Sequence, residues 1–293
     1  MPEGPEVYVT CSDLSKLLVG ERIEAINIVG GRYVGHGAPE NWDLLIRELP
    51  LKISGVYCKG KMMWFEFENC EYVLISRFGM SGYYGIRDES EKSPKHTAVE
   101  FVVLGEEYIV YYNDVRRFGT FKISRSIQEE LDSLGPCFTS NCKDIINKET
   151  FVQVIKKQKG HLAKKLMDQK VVSGIGNYIL SECLYRSNLD PMVKCEDLEN
   201  EDIERLYHSV IEIIDCSVKY KGVTLKDYRP LNQGGRDCGG EECGGEDTKY
   251  KGNGQKFLKV YKKTQTDKGE KVLTIAKGPH GRAIYYTASQ IKS

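Results

Sequence analysis

The spacing of apolar positions divides the chain into stretches of different character. Val7, Leu14, Leu17 and Leu18 recur at helical intervals and stop at Gly20, which predicts a helix directly behind the N-terminus. Residues 61–67, 72–76, 97–104, 108–112 and 120–124 are short aromatic and β-branched runs separated by glycine or charge, as in an antiparallel sandwich or barrel. Helical spacing then appears over 151–157, 162–168, 177–186 and 199–219, with a turn at 131–136 closing the first unit. Residues 222–254 carry paired glycines in a polar, acidic setting and read as loop. Beyond them, 257–264 and 271–276 alternate like a hairpin about Asp267-Lys268-Gly269. A second turn covers 278–282, and 283–287 reads as a closing strand. No internal repeat is visible. The expectation is an α+β protein with units at 1–125, 126–247 and 248–293.

Composition is that of an ordinary globular protein, 40% hydrophobic and 29% charged over 293 residues, enough for two domains. No apolar run reaches the roughly 20 residues a membrane span needs, and no signal-peptide pattern opens the chain. Ten cysteines are scattered without a disulfide rhythm, so an intracellular, reducing setting is expected rather than secretion. The formal charge is zero, which by itself speaks against a polyanionic partner. Its distribution reverses that: residues 248–293 hold eleven Lys or Arg against two acidic residues, while acids gather at 196–204. A basic face set against an acidic one suits a polyanion held on one side.

Candidate chemistry concentrates at the start, Met1-Pro2-Glu3-Gly4-Pro5-Glu6-Val7. Initiator methionine is removed before a small residue such as proline, so the mature chain is expected to begin at Pro2. That leaves a secondary amine beside a carboxylate. The amine can attack an aldehyde-level carbon to give an iminium, an electron sink at any pH, and the carboxylic acid can shuttle protons. The following helix places its positive end nearby, which favours the neutral amine. The plainer alternative is a proline-rich segment that only staples a helix. Two glycine-framed connections, 77–82 and 114–119, carry Met80, Arg116 and Phe118. These are loop packing in most proteins, but they also suit an apolar wedge and a guanidinium that replace an extruded base. The loop 169–178 holds Gly174, Ile175 and Gly176 before Asn177, which is expected to cap the next helix and make its N-terminus a phosphate site. No strand precedes it, so a dinucleotide-binding turn is not the reading.

Taken in order, PEGPEV, GKMMWFEF (60–67), FGMSG (78–82), DVRRFG (114–119), LGP (134–136), LMDQKVVSGIGNYILSE (166–182), GVTLKDY (222–228) and the C-terminal hairpin resemble the Fpg/Nei family of bifunctional DNA glycosylases, more closely its Nei-like branch. The resemblance implies an N-terminal β-sandwich flanked by helices, a helix–two-turn–helix region and a β-hairpin finger, with DNA between the halves. It implies Pro2 as Schiff-base nucleophile, Glu3 as general acid/base, Glu6 as a supporting carboxylate and Lys61 as the lysine beside the lesion phosphate. It further implies Asn177, the Gly174–Gly176 amides and Arg282 as the phosphate grip, and Met80, Arg116 and Phe118 as the void-filling trio.

Most bacterial members of the family build the finger on four zinc-binding cysteines. Here Cys238 and Cys243 alone lie near it, and no cysteine follows Cys243. Four ligands are wanting, so no metal and no other cofactor is expected. The finger resembles the zincless fingers of certain Nei-like enzymes, with Phe257, Val260, Ile275 and Tyr285 as its core. The implied function is base excision with β,δ-elimination on damaged double-stranded, or single-stranded, DNA by a monomer with no membrane contact. Oxidised pyrimidines and hydantoins are the expected lesions. The alternatives are an 8-oxoguanine/formamidopyrimidine enzyme with the same mechanism and a non-catalytic binder of damaged DNA.

Overall fold

The computed structural model describes residues 1–141, 145–221 and 257–291. The 222–228 motif, the glycine-rich loop and Cys238 and Cys243 lie outside the described residues.

Helix α1 (Gly4–Leu18) starts after Glu3 with Pro5 in its first turn, where a missing amide hydrogen is harmless. Val7, Cys11, Leu14 and Leu18 form its fully buried stripe. Eight antiparallel strands follow: β1 (Arg22–Ile28), β2 (Leu51–Lys59), β3 (Met62–Phe67), β4 (Val73–Arg77), β5 (Gly82–Asp88), β6 (Thr97–Val103), β7 (Tyr108–Asp114) and β8 (Thr120–Ser124). Short helices α2 (Tyr33–His36) and α3 (Trp42–Arg47) connect β1 to β2. Strand order is β5-β7-β6-β1-β2-β3-β4-β8. β1 and β2 share only the pairs Arg22↔Lys52 and Ile23↔Leu51, and β2 slips register between Ile53 and Gly55 as it turns to β3. The sheet folds over at this weak seam. Phe65 of β3 packs 5.6 Å from Phe101 of β6, and Phe121 of β8 meets Tyr112 of β7 edge-on at 5.1 Å. The two halves thus close one core, the expected sandwich.

Strands β1, β2 and β5 go beyond the five that residue pattern predicts. In β5 two glycines and Arg87 interrupt the apolar signal, and Arg87 is nonetheless buried because Glu100 of β6 pairs with it at 3.0 Å.

After α4 (Gln128–Asp132), helices α5 (Lys148–Lys156), α6 (Leu162–Met167), α7 (Asn177–Arg186) and α8 (Asn200–Lys219) surround a second core that includes Phe151, Ile179, Leu206 and Ile213. Asn147 caps α5 by accepting the Thr150 amide at 2.8 Å.

The finger departs from its sequence pattern. Its hairpin is β9 (Val272–Ile275) with β10 (Ile284–Thr287), joined by the 278–282 turn. Residues 257–264 are not a strand. The amides of Lys259, Val260 and Tyr261 turn inward to the buried Glu182 carboxylate on α7 at 2.8–2.9 Å, so they have no ladder to join. Phe257 and Val260 are buried as expected, Ile275 and Tyr285 only half so, and Ile284 is the fully buried anchor of the pair.

Candidate active site and DNA-binding surface

Three backbone segments from distant parts of the chain touch where the two cores meet. The Gly4 amide donates to Gly174 O at 2.9 Å. A Cβ on Gly60, in the β2–β3 turn, would fall 2.8 Å from Ser173 Cβ and 2.9 Å from Gly174 N. A Cβ on Gly4 would fall 2.6 Å from Thr139 Oγ1, and Gly174 itself has φ +100°. Side chains would hold these backbones apart. The contact brings Pro2, Glu3, Lys61 and the 169–176 loop into one site.

Glu3 is 2% exposed, and its carboxylate accepts the amides of Tyr178 (3.0 Å) and Ile179 (3.4 Å) at the start of α7. Burial is the largest influence on it and pushes its pKa from 4.5 up to about 7. The Lys61 ammonium and the two amides pull against that, while the Glu6 charge adds to it. Lys61 donates from Nζ to Ile175 O at 2.6 Å. Its own pKa is lowered, by burial first and then by Arg282, with Glu3 and Glu6 opposing. A carboxyl group that titrates near neutrality can both give and take a proton under physiological conditions. Pro2 is buried beside it, and Met1 Sδ lies 3.5 Å from Arg282 Nη1.

Glu6 does not enter this surface. Its carboxylate accepts the Glu3 amide at 2.9 Å, Tyr178 Oη at 3.2 Å and Ser217 Oγ at 3.1 Å, tying α1 to α7 and α8. Burial raises its pKa. The sequence offered no signal for Tyr178 or Ser217, whose partner is more than 170 residues away in each case.

The residues expected to grip a phosphate meet at the start of α7, but the expected Asn177 cap is not there. Asn177 is the first residue of α7 and does not cap it; Gly176 occupies the cap position. The helix amides of Tyr178 and Ile179 hold Glu3, and the Gly174 amide is taken by Gln169 Oε1 at 3.0 Å. Asn177 instead reaches the finger turn, donating from Nδ2 to Ala283 O (2.9 Å) and meeting His280 Nε2 through Oδ1 (2.8 Å). Arg282 is exposed on that turn, and its charge acts on both Lys61 and His280. Lys61, Asn177 and the finger turn that carries Arg282 thus gather around the start of α7.

The two glycine-framed loops lie side by side. A Cβ on Gly79 would fall 2.5 Å from Gly119 N. The buried Asp114 laces them, accepting from Ser81 Oγ, from the Arg116 amide at 3.2 Å and from the Gly119 amide at 2.7 Å. The Arg116 guanidinium sits 5.2 Å over the Phe118 ring, and Phe118 and Val115 are 53% and 56% exposed. Met80 is half-buried. The tip thus holds Val115 and Phe118 out to solvent on a rigidly laced base, the geometry that the expected wedge requires.

Among the described residues no three His, Cys, Asp or Glu side chains come together as a metal site. The end of the finger is held by hydrogen bonds: Thr287 N to Gln290 Oε1 at 2.9 Å, Gln290 Nε2 to Leu189 O at 2.8 Å and Ser289 N to Glu270 Oε1 at 3.1 Å. No helix among the described residues is long and apolar enough to cross a membrane.

Comparison with known proteins agrees with this arrangement. Residues 1–121 match the Formamidopyrimidine-DNA glycosylase N-terminal domain, and residues 139–229 the Formamidopyrimidine-DNA glycosylase H2TH domain. The formamidopyrimidine-DNA glycosylase of Oceanobacillus iheyensis is 30% identical over 234 residues, 78% of this chain and 80% of its own. That of Rickettsia massiliae is 30% identical over 232 residues, again 78% and 80%. The solved complex of Lactococcus lactis Fpg with abasic-site DNA matches at TM-score 0.79 and 25% identity, over 99% of this chain and 100% of that one. A mutant of that protein bound to Fapy-dG DNA matches at TM-score 0.79 and 25% identity over the whole of both chains. On sequence, fold and site together, the chain belongs to the formamidopyrimidine-DNA glycosylase family and is a base-excision DNA glycosylase and abasic-site lyase.

Proposed function

We propose that the protein removes ring-opened and oxidised purines, of the formamidopyrimidine and 8-oxoguanine class, from damaged duplex DNA and then cuts the strand through a Schiff base on Pro2. The observation that carries the mechanism is the buried Glu3 carboxyl, raised to about 7 and held by the Tyr178 and Ile179 amides next to Pro2. With Met1 removed, the Pro2 nitrogen attacks sugar C1′, the glycosidic bond breaks and the departing base takes a proton, for which protonated Glu3 is the source. The nitrogen lone pair then expels O4′ from C1′, and O4′ takes up a proton as the sugar ring opens and leaves the iminium. This acidifies C2′; loss of that proton expels the 3′ phosphate, and δ-elimination expels the 5′ phosphate. Lys61, Asn177 and Arg282 hold the backbone beside the lesion, which fixes position without reading sequence. Met80, Arg116 and Phe118 fill the gap left by the flipped nucleotide.

The purine assignment follows the names of the relatives and replaces the leaning towards oxidised pyrimidines drawn from residue motifs. The pyrimidine and hydantoin reading, with a Nei-like zincless finger, keeps one support: no cysteine follows Cys243 to complete a zinc set. Borohydride trapping on duplexes carrying 8-oxoguanine, thymine glycol or an abasic site separates the two. Adducts are expected on the 8-oxoguanine and abasic duplexes, and Pro2→Gly should abolish both. An adduct mainly on thymine glycol would move the lesion class, and none on any duplex, despite binding, would sink the mechanism.

A further inference from the structure

The side chain of Asn177 brackets Arg282. Its Oδ1 faces His280 Nε2 at 2.8 Å, two residues before the arginine, and its Nδ2 donates to Ala283 O at 2.9 Å, one residue after. Backbone bonds of 2.8 Å from Gly278 N to Arg282 O and from Gly281 N to Gly278 O close the same turn. The Ala283 carbonyl can only accept, which settles which end of the amide is nitrogen. Oδ1 therefore points at the imidazole and needs a donor, so His280 must carry its proton on Nε2. That leaves Nδ1 a buried atom with no hydrogen-bond partner among the described residues. A buried unsatisfied nitrogen is a cost that a side chain free to choose its tautomer avoids. Burial and the Arg282 charge hold the imidazole below its usual pKa, which keeps it in this neutral form.

We propose that His280 is a positioning residue for DNA binding: its Nε2–H clamps the Asn177 amide and so sets the finger turn, with Arg282, against the start of α7. The second Nδ2 hydrogen of Asn177 is then presented at a fixed angle to a phosphate oxygen that Arg282 and Lys61 share. The inference rests on the reading of Asn177 and Arg282 as phosphate contacts.

The test is a double-mutant cycle on binding to a duplex with a stable abasic analogue, with thermal midpoints measured for every variant. His280→Leu should weaken binding about tenfold, the loss expected when one partner of a buried hydrogen bond is removed. His280→Gln, whose side-chain amide can donate from the same place, should restore binding to within about threefold of the parent. In an Asn177→Ala background, His280→Leu should add nothing. A His280→Leu protein that binds like the parent overturns the proposal. So does an equal additional loss in the Asn177→Ala background, because a role in finger folding alone would be additive. Parent-like binding by Asn177→Ala would refute the phosphate-contact reading along with it, while borohydride trapping would still report the Schiff-base chemistry.

Discussion

Glu3 is pulled in opposite directions by its surroundings, and burial prevails over two amides and a lysine. Its folded pKa is higher than its unfolded one, so the folded chain holds the proton more tightly. The stability this contributes is complete below pH 4.5 and is lost as pH rises through about 7. Glu6 is shifted in the same direction and adds to the trend. Urea-unfolding stability should therefore fall between these two pH values, and Glu3→Gln should flatten the fall while abolishing excision of intact lesions; an unchanged slope in the variant would refute the assignment. Pro2 and Glu3 could be singled out in the sequence because the chemistry proposed for them is contained in one dipeptide. Glu6 and Lys61 needed the resemblance as well. Asp114, Gln169, Tyr178 and Ser217 were not legible as site residues, since each acts through a hydrogen bond formed only once the chain has folded, and residue spacing carries no trace of it.

At the scale of elements, the N-terminus of α7 is the pivotal piece. A Cβ on Gly176 would lie 2.1 Å from Glu3 Cδ, with both carboxylate oxygens within 2.5 Å. Gly176→Ala should consequently displace the acid and lower base excision about 100-fold, the scale of a small misplacement at a reacting centre, with DNA affinity little changed. Single-turnover excision alongside a binding isotherm checks this, and a parallel loss of both would point to a collapsed α7 instead. Helices α1, α5 and α8 were readable because each keeps an apolar stripe at helical spacing, whereas α2, α3 and α4, of four to six residues, are too short to show one. The first finger strand was misread for a definite reason: 257–264 alternates like a strand, yet three of its amides are committed to Glu182. Alternation reports which side chains are buried, not where backbone hydrogens go.

Over the whole molecule, the balanced charge conceals an uneven one, but the lysines of the finger are not all available to DNA. Asp267 pairs with both Lys259 and Lys263. Salt dependence of binding should therefore reflect a few placed contacts rather than the lysine count. Arg282→Ala should make the slope of log Kd against log salt shallower by about one, and an unaltered slope would remove Arg282 from the phosphate contacts. The two cores join at the Gly4–Gly60–Gly174 contact, with the Glu6–Tyr178–Ser217 bonds behind it. This junction makes the acid site a product of both cores. The Glu3 carboxylate takes its amides from α7, and Glu6 takes its hydroxyls from α7 and α8. Neither core folded alone supplies the full set of partners for the two carboxyl groups; they are completed only when the halves dock.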